Sequence, residues 1–191
     1  MDAEYLAAVT FLSWLPEEPI ASFRRAYDLT SDVVDPHITL VFPVPTSQMD
    51  RGAFREHVRT VVSRTPSFDI RLNALEKAWD HWLFLVVTEG RDQVIELHDE
   101  LYTGLLRPFL WTEQPFVPHV GLGLFVETGD DQDLHEARPR TLDRARFERG
   151  LREAQALDLD FAGPFESVHI VELDDDLTCV TQLEEVRLQA R

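Results

Sequence analysis

One short pattern occurs twice in this chain. "VVDPHITLVFPV" runs from Val33 to Val44, and "PFVPHVGLGLF" runs from Pro115 to Phe125. Each copy has a proline, then a histidine, then an apolar run of strand character. The two histidines, His37 and His119, are 119 − 37 = 82 residues apart. A strand this apolar is buried, and buried polar side chains need partners. Polar groups set into matching strands point to a shared purpose and to a fold made of two similar halves.

The surrounding elements repeat with the same offset. Tyr5 to Trp14 reads as a buried strand. A helix follows, with Ile20, Phe23 and Tyr27 at helical spacing. The His37 strand is expected to end at Pro43 and Pro45. The next helix takes Asp50 as N-cap and Phe54, Val58, Val61 and Val62 as its apolar face. Phe68 to Trp79 alternates as a strand, and Asp80 and His81 read as a turn. The series then restarts. Trp82 to Glu89 is an apolar strand, and the helix after it carries Val94, Leu97, Leu101 and Leu105 on one face. The His119 strand, a helix from Leu142 to Leu157 and the closing strands complete the second half.

This order predicts one α+β domain over residues 1–191, built as two lobes related by a pseudo-twofold axis. Each lobe is expected to hold an antiparallel sheet and two helices around a central cleft. Lobe 1 covers about residues 5–80, lobe 2 about residues 81–188, and the polar segment 127–140 is an insertion loop. Such an axis brings His37 and His119 to one cleft.

The residues quoted above resemble a known family. "HITL", from His37, and "HVGL", from His119, resemble the paired H-x-[ST]-hydrophobic (HxTx) motifs of the 2H phosphoesterase superfamily, nearest the 2′-5′ RNA ligase and cyclic phosphodiesterase type. The resemblance implies a metal-independent hydrolase with no cofactor. Its partner is a small nucleotide or short oligonucleotide carrying a 2′,3′-cyclic or 2′-5′ phosphodiester. It implies His37 and His119 as the acid–base pair and Thr39 as a donor to phosphate. Gly121 departs from the pattern, because it stands where Ser or Thr is expected. Gly121 and Phe42 are assigned to substrate binding. The loss of a hydroxyl at 121 keeps a second reading open, a non-catalytic nucleotide- or phosphate-binding module.

The chemistry fits these residue types. In a strand, positions i and i+2 share a face, so Thr39 projects with His37 and position 121 with His119. Histidine titrates near working pH and serves as acid or base.

Composition narrows the partners. The net charge is −17, which argues against long nucleic acid and leaves room for a small anion in a locally positive cleft. The single cysteine, Cys179, allows no internal disulfide and suits a reducing cytoplasm. The N-terminal stretch lacks the basic start of a signal peptide, and no apolar run reaches spanning length without a charge. A soluble cytoplasmic monomer is the expectation.

Other polar residues are weaker candidates. His57 and His98 are expected on solvated helix faces, His81 in a turn, His135 in the polar loop, and His169 facing solvent or the cleft rim. Trp14, Trp79, Trp82 and Trp111 are candidates with Phe42 for a base-stacking wall. Arg24, Arg25 and Arg107 are candidate phosphate contacts, each more at home on the solvated surface. The run from Glu172 to Leu177 has turn spacing and not that of a calcium loop.

Overall fold

The structure is a computed structural model that describes residues 4–28, 31–32, 34–79, 81–127, 141–174 and 180–190. Asp80, His135, Cys179, the insertion segment from 128 onward and the last part of the acidic run lie outside the described residues.

Among the described residues, eight strands form two antiparallel sheets. The first has the order β2 (His37–Pro45), β1 (Tyr5–Phe11), β7 (Ser167–Leu173), β8 (Val180–Arg187). The second has the order β5 (His119–Leu124), β4 (Trp82–Glu89), β3 (Phe68–Ala78), β6 (Phe161–Phe165). The helices are α1 (Ile20–Tyr27), α2 (Arg51–Val62), α3 (Arg91–Leu101) and α4 (Arg144–Ala156). The fold is bilobal α+β. Its main core runs through both sheets, joining Leu6, Ala8 and Ile170 of the first to Leu72, Leu83 and Leu85 of the second. Among the described residues, no helix is long and apolar enough to cross a membrane.

The sheets do not follow the expected lobe boundaries. β3 leaves the first half of the chain and pairs with β4 in the second sheet, along Ala78↔Trp82 and its neighbours. β7 and β8 leave the second half and join the first sheet through β1. The halves exchange their closing strands, which ties them into one body.

Local chemistry explains the helices. Asp50 accepts a 2.8 Å hydrogen bond from the Ala53 N–H and starts α2, while Asp143 accepts one of 2.9 Å from Arg146 and starts α4. α2 buries Phe54, Val58 and Val62. The third helix is shorter than its apolar spacing predicts. It ends at Leu101, and a 3₁₀ turn over Gly104–Phe109 carries Leu105 and Leu106.

Each histidine strand contains a bulge. Ala8 pairs with Val41 and Val9 with Thr39, so Leu40 is passed over. Leu83 pairs with Gly123 and Phe84 with Gly121, so Leu122 is passed over. The bulged positions are 122 − 40 = 82 residues apart, the spacing of the histidines. A bulge shifts the alternation of faces by one. Phe42 is thereby turned to the face of His37 and Thr39, where strict alternation would point it away. β2 also continues through Pro43 to Pro45 and does not end there. As an edge strand it has no outer ladder for a proline to break.

The two glycines of β5 have different reasons. A Cβ on Gly123 would lie 2.7 Å from Tyr27 Cβ and 3.0 Å from Tyr27 O, so this glycine lets α1 press onto the strand. A Cβ on Gly121 would meet only Trp82 Cζ3, at 3.8 Å. Gly123→Ala is expected to destabilise the protein by about 1–3 kcal/mol through overpacking. Gly121→Ala is expected to stay within about 1 kcal/mol of the parent. Urea unfolding of both variants checks the contrast, and equal effects would contradict it.

Candidate active site

Both histidines face one cavity of about 170 Å³, with Thr39, Phe42, Gly121, Trp79, Trp82, Phe84, Arg24, Asp28 and Pro36 in its wall. All five residues singled out from the sequence for catalysis or substrate binding therefore meet in one place. Gly123 is not among the lining residues, and serves α1 packing instead.

The imidazoles are held alike. His37 Nδ1 lies 2.8 Å from the Asp35 carbonyl oxygen, and His119 Nδ1 lies 2.5 Å from the Val117 carbonyl oxygen. A carbonyl only accepts, so Nδ1 carries the ring proton in both cases. The neutral ring then has its lone pair at Nε2. The proline before each histidine holds the residue before it extended, which keeps that carbonyl within reach of the ring.

Aromatic rings back both imidazoles. Phe84 stacks on His119 with ring centres 3.4 Å apart and planes at 14°, and Trp79 meets its edge at 5.6 Å. Phe11 stands edge-on to His37 at 6.0 Å. Phe42, Trp79 and Trp111 touch one another at 5.4–6.2 Å and form a continuous wall. Trp111 is 43% exposed at its outer end. Tyr102 fixes the wall from behind, because its hydroxyl accepts a 2.9 Å hydrogen bond from the Phe42 N–H. Trp79 has φ +47°, in the left-handed region that a bulky side chain seldom adopts. Strained backbone of this kind concentrates at functional sites.

Burial is the main influence on the histidines. It lowers the His119 pKa from 6.5 to about 4, opposed by the Val117 carbonyl and assisted by the nearby His37. Burial also lowers that of His37, with the Asp35 carbonyl opposing, Arg24 assisting, and the Asp28 and Asp35 carboxylates opposing. Both rings are neutral at pH 7.

Several sequence expectations are corrected. Arg24 is buried, not solvated, while Arg25 and Arg107 are exposed as expected. His98 is buried and stacks on Phe116 at 3.8 Å. His169 is buried on the cleft-side face of the first sheet, against the side chains of Val9 and Phe11. His57 is half-buried and donates from Nε2 to the Leu101 carbonyl at the end of α3. Trp14 lies away from the cavity and donates to the Pro164 carbonyl. Phe84 and Asp28 were missed. Phe84 sits in an unbroken apolar run, where only its register opposite Gly121 reveals it. Asp28 had a usable signal, its i+4 spacing from Arg24. Among the described residues, no group of three or more His, Cys, Asp or Glu is placed to hold a metal ion.

Comparison with known proteins agrees with this geometry. The family model described as the 2′-5′ RNA ligase superfamily matches residues 14–176. The chain belongs to that superfamily, whose members are 2H phosphoesterases. A relative from Geobacillus kaustophilus, named "Putative phosphoesterase GK0864", is 28% identical over 118 residues, which cover 60% of this chain and 65% of that one. A similarly named Bacillus licheniformis protein is 23% identical over 59% of this chain and 66% of its own length. The matched region thus spans about two-thirds of these relatives. Among solved structures, E. coli LigT complexed with 3′-AMP superposes with a TM-score of 0.63 at 16% identity, covering 98% of this chain and 99% of LigT. TT0787 of Thermus thermophilus gives 0.59 at 18% identity, with 98% and 99% coverage. These likenesses establish the fold.

The histidine environments also predict a pH dependence of stability. A histidine whose folded pKa is depressed leaves the unfolded chain binding more protons below pH 6.5, so stability is full above that pH and is lost as pH falls toward the folded value. For His119 the window runs from about 6.5 down to about 4. His37, His98 and His169 are shifted the same way by burial. The unfolding free energy should therefore fall between pH 7 and pH 5, and His119→Gln should flatten that slope. Urea titrations at the two pH values check it; a parallel slope in the variant contradicts it.

Proposed function

We propose that the chain is a phosphodiesterase that opens or cleaves a small nucleotide-like phosphodiester, 2′,3′-cyclic or 2′-5′, by histidine acid–base chemistry without a metal. The observation that carries this reading is the pair of imidazoles in one cavity, each anchored through Nδ1 so that Nε2 is left for the substrate. Membership of the 2′-5′ RNA ligase superfamily supports it. So does the binding of 3′-AMP by LigT, a structural neighbour.

The two rings share the proton work. One, neutral, takes a proton from the attacking water at Nε2, and the other, protonated as the anion binds, donates its proton from Nε2 to the leaving ribose oxygen. One P–O bond forms to water and one breaks to the ribose, and the proton count is unchanged. Thr39 donates its hydroxyl to a non-bridging oxygen as charge develops there. The anion entering between the rings raises both histidine pKa values, which charges the acid of the pair when it is needed. The Phe42, Trp79 and Trp111 wall stacks the base. The acidic chain disfavours long RNA and suits a mononucleotide or short oligonucleotide.

Gly121 favours one competing reading, a module that binds the ligand without turnover. Incubation with 2′,3′-cyclic nucleotides in the presence of a chelator, followed by ³¹P NMR, separates the two. The enzyme reading expects a monoester product, and kcat lower by about 10²–10⁴-fold in His37→Ala and in His119→Ala. kcat/KM should be bell-shaped with its maximum on the acid side of pH 6.5, because both free-enzyme pKa values are lowered. Binding of the nucleotide with no product establishes the module instead. Trp111→Ala is expected to raise KM about 5- to 100-fold with little change in kcat, as lost stacking would.

A further inference from the structure

Among the described residues, Arg24 is the one permanently charged cation in the wall of the cavity, on a chain of net charge −17. Its side chain is 5% exposed and that of Asp28 is 4% exposed. Two of its donors meet one carboxylate oxygen: Nε lies 2.8 Å and Nη2 2.7 Å from Asp28 Oδ2. A guanidinium has five N–H groups in a planar fork that matches phosphate. Among the described residues, the remaining donors of Arg24 have no other acceptor. Arg24 sits on the last turn of α1 and Asp28 caps its end, and this helix presses on β5 through Tyr27 and Gly123. Arg24 and Gly121 thus line the same cavity from two elements in direct contact. The charges of the pair also reach the first histidine, since Arg24 opposes protonation of His37 and Asp28 favours it.

Removing two charges from water is costly, and apolar residues of similar size often hold such a place as well or better. A buried ion pair at the wall of a binding cavity is therefore weakly explained by stability. It is well explained by an anion that needs a fixed guanidinium. Resting on the phosphodiester reading above, we propose that Arg24, oriented by Asp28, anchors a non-bridging phosphate oxygen in the cleft and takes the place of the hydroxyl that Gly121 lacks.

The test uses the full chain. Arg24→Met/Asp28→Leu removes both charges together, so no lone charge is left buried. Gly121→Ser restores a hydroxyl where a Cβ has room. The combination of all three changes closes the cycle. Circular dichroism and thermal unfolding report the fold, calorimetric titration with inorganic phosphate reports the anchor, and kcat and KM on a 2′,3′-cyclic nucleotide report its use. The pair-less variant should stay folded and lose phosphate affinity about 10- to 100-fold, the scale of a charge-assisted hydrogen bond. Gly121→Ser should recover affinity in the pair-less background and change the parent less. Unchanged phosphate affinity in a folded pair-less variant overturns the inference. So does an equal effect of Gly121→Ser in both backgrounds, or a parent that binds no phosphate. If the pair-less variant does not fold, Arg24→Lys decides. That change keeps the charge and loses the fork, and affinity equal to the parent's overturns the inference. Failure of the phosphodiester reading shows separately, as absence of turnover by the parent while phosphate still binds through Arg24.

Discussion

A neutral imidazole has a single N–H, and both motif histidines direct it to their own backbone two residues back. That bond removes rotation of the ring and selects the tautomer. The nitrogen left over is Nε2, in both halves. Burial then does the electrostatic part by making the protonated forms costly, so the cleft rests uncharged at its two reactive rings. An uncharged pair is receptive to an anion, since each ring gains affinity for a proton once a phosphate stands between them. On the proposed reading, the response to substrate lies in the substrate's own charge.

The rest of the fold serves to present two such rings to one cavity. The exchange of closing strands makes the halves inseparable, because β3 and β7 each belong to the opposite sheet from the strand sequence that precedes them. It also brings Trp79, at the end of β3, beside His119 on the second sheet. The matching bulges at Leu40 and Leu122 shift the alternation of faces at equivalent points of the two motif strands. In β2 that shift turns Phe42 into the cleft. In β5 the residue after the bulge is Gly123, and its missing side chain admits α1. One backbone irregularity, repeated, thus yields a cavity-lining aromatic in one half and a helix seat in the other.

What could be read from the sequence follows the same division. Element type and order were readable, because periodicity, the Asp50 cap and the apolar runs are local. The histidine pair was readable because one pattern occurs twice at a fixed offset. Strand partners were not, since period-two alternation reveals a face and not a neighbour. His169 illustrates this: it does point away from Val168 and Ile170, but the face it points to is covered. His98 was misjudged because an aromatic ring, Phe116, comes from a segment without regular structure to lie on it. Pro43 looked like a strand end because a bulge and an edge position are invisible in one dimension. Arg24 was judged by its residue type, which favours solvent, and the Asp28 partner one turn later was overlooked.

The charge balance gives Arg24 its weight. On a chain with 35 acidic and 18 basic residues, an anion approaches against the average field. Several of the described arginines on the surface are paired with acids, as Arg51 is with Glu172, Arg55 and Arg59 with Glu184, and Arg71 with Asp160. Such pairs are screened by solvent and contribute little to attracting a ligand from a distance. A guanidinium inside the cleft is different, because low local polarisability strengthens its field over a few ångströms. On the proposed reading, selectivity for a small ligand follows from this balance. A mononucleotide brings a single phosphate to the buried fork, whereas each further phosphate of a polymer would stay outside, in the field of a chain of net charge −17. The proposed anchor and the acidic chain would then act together as a filter on substrate length.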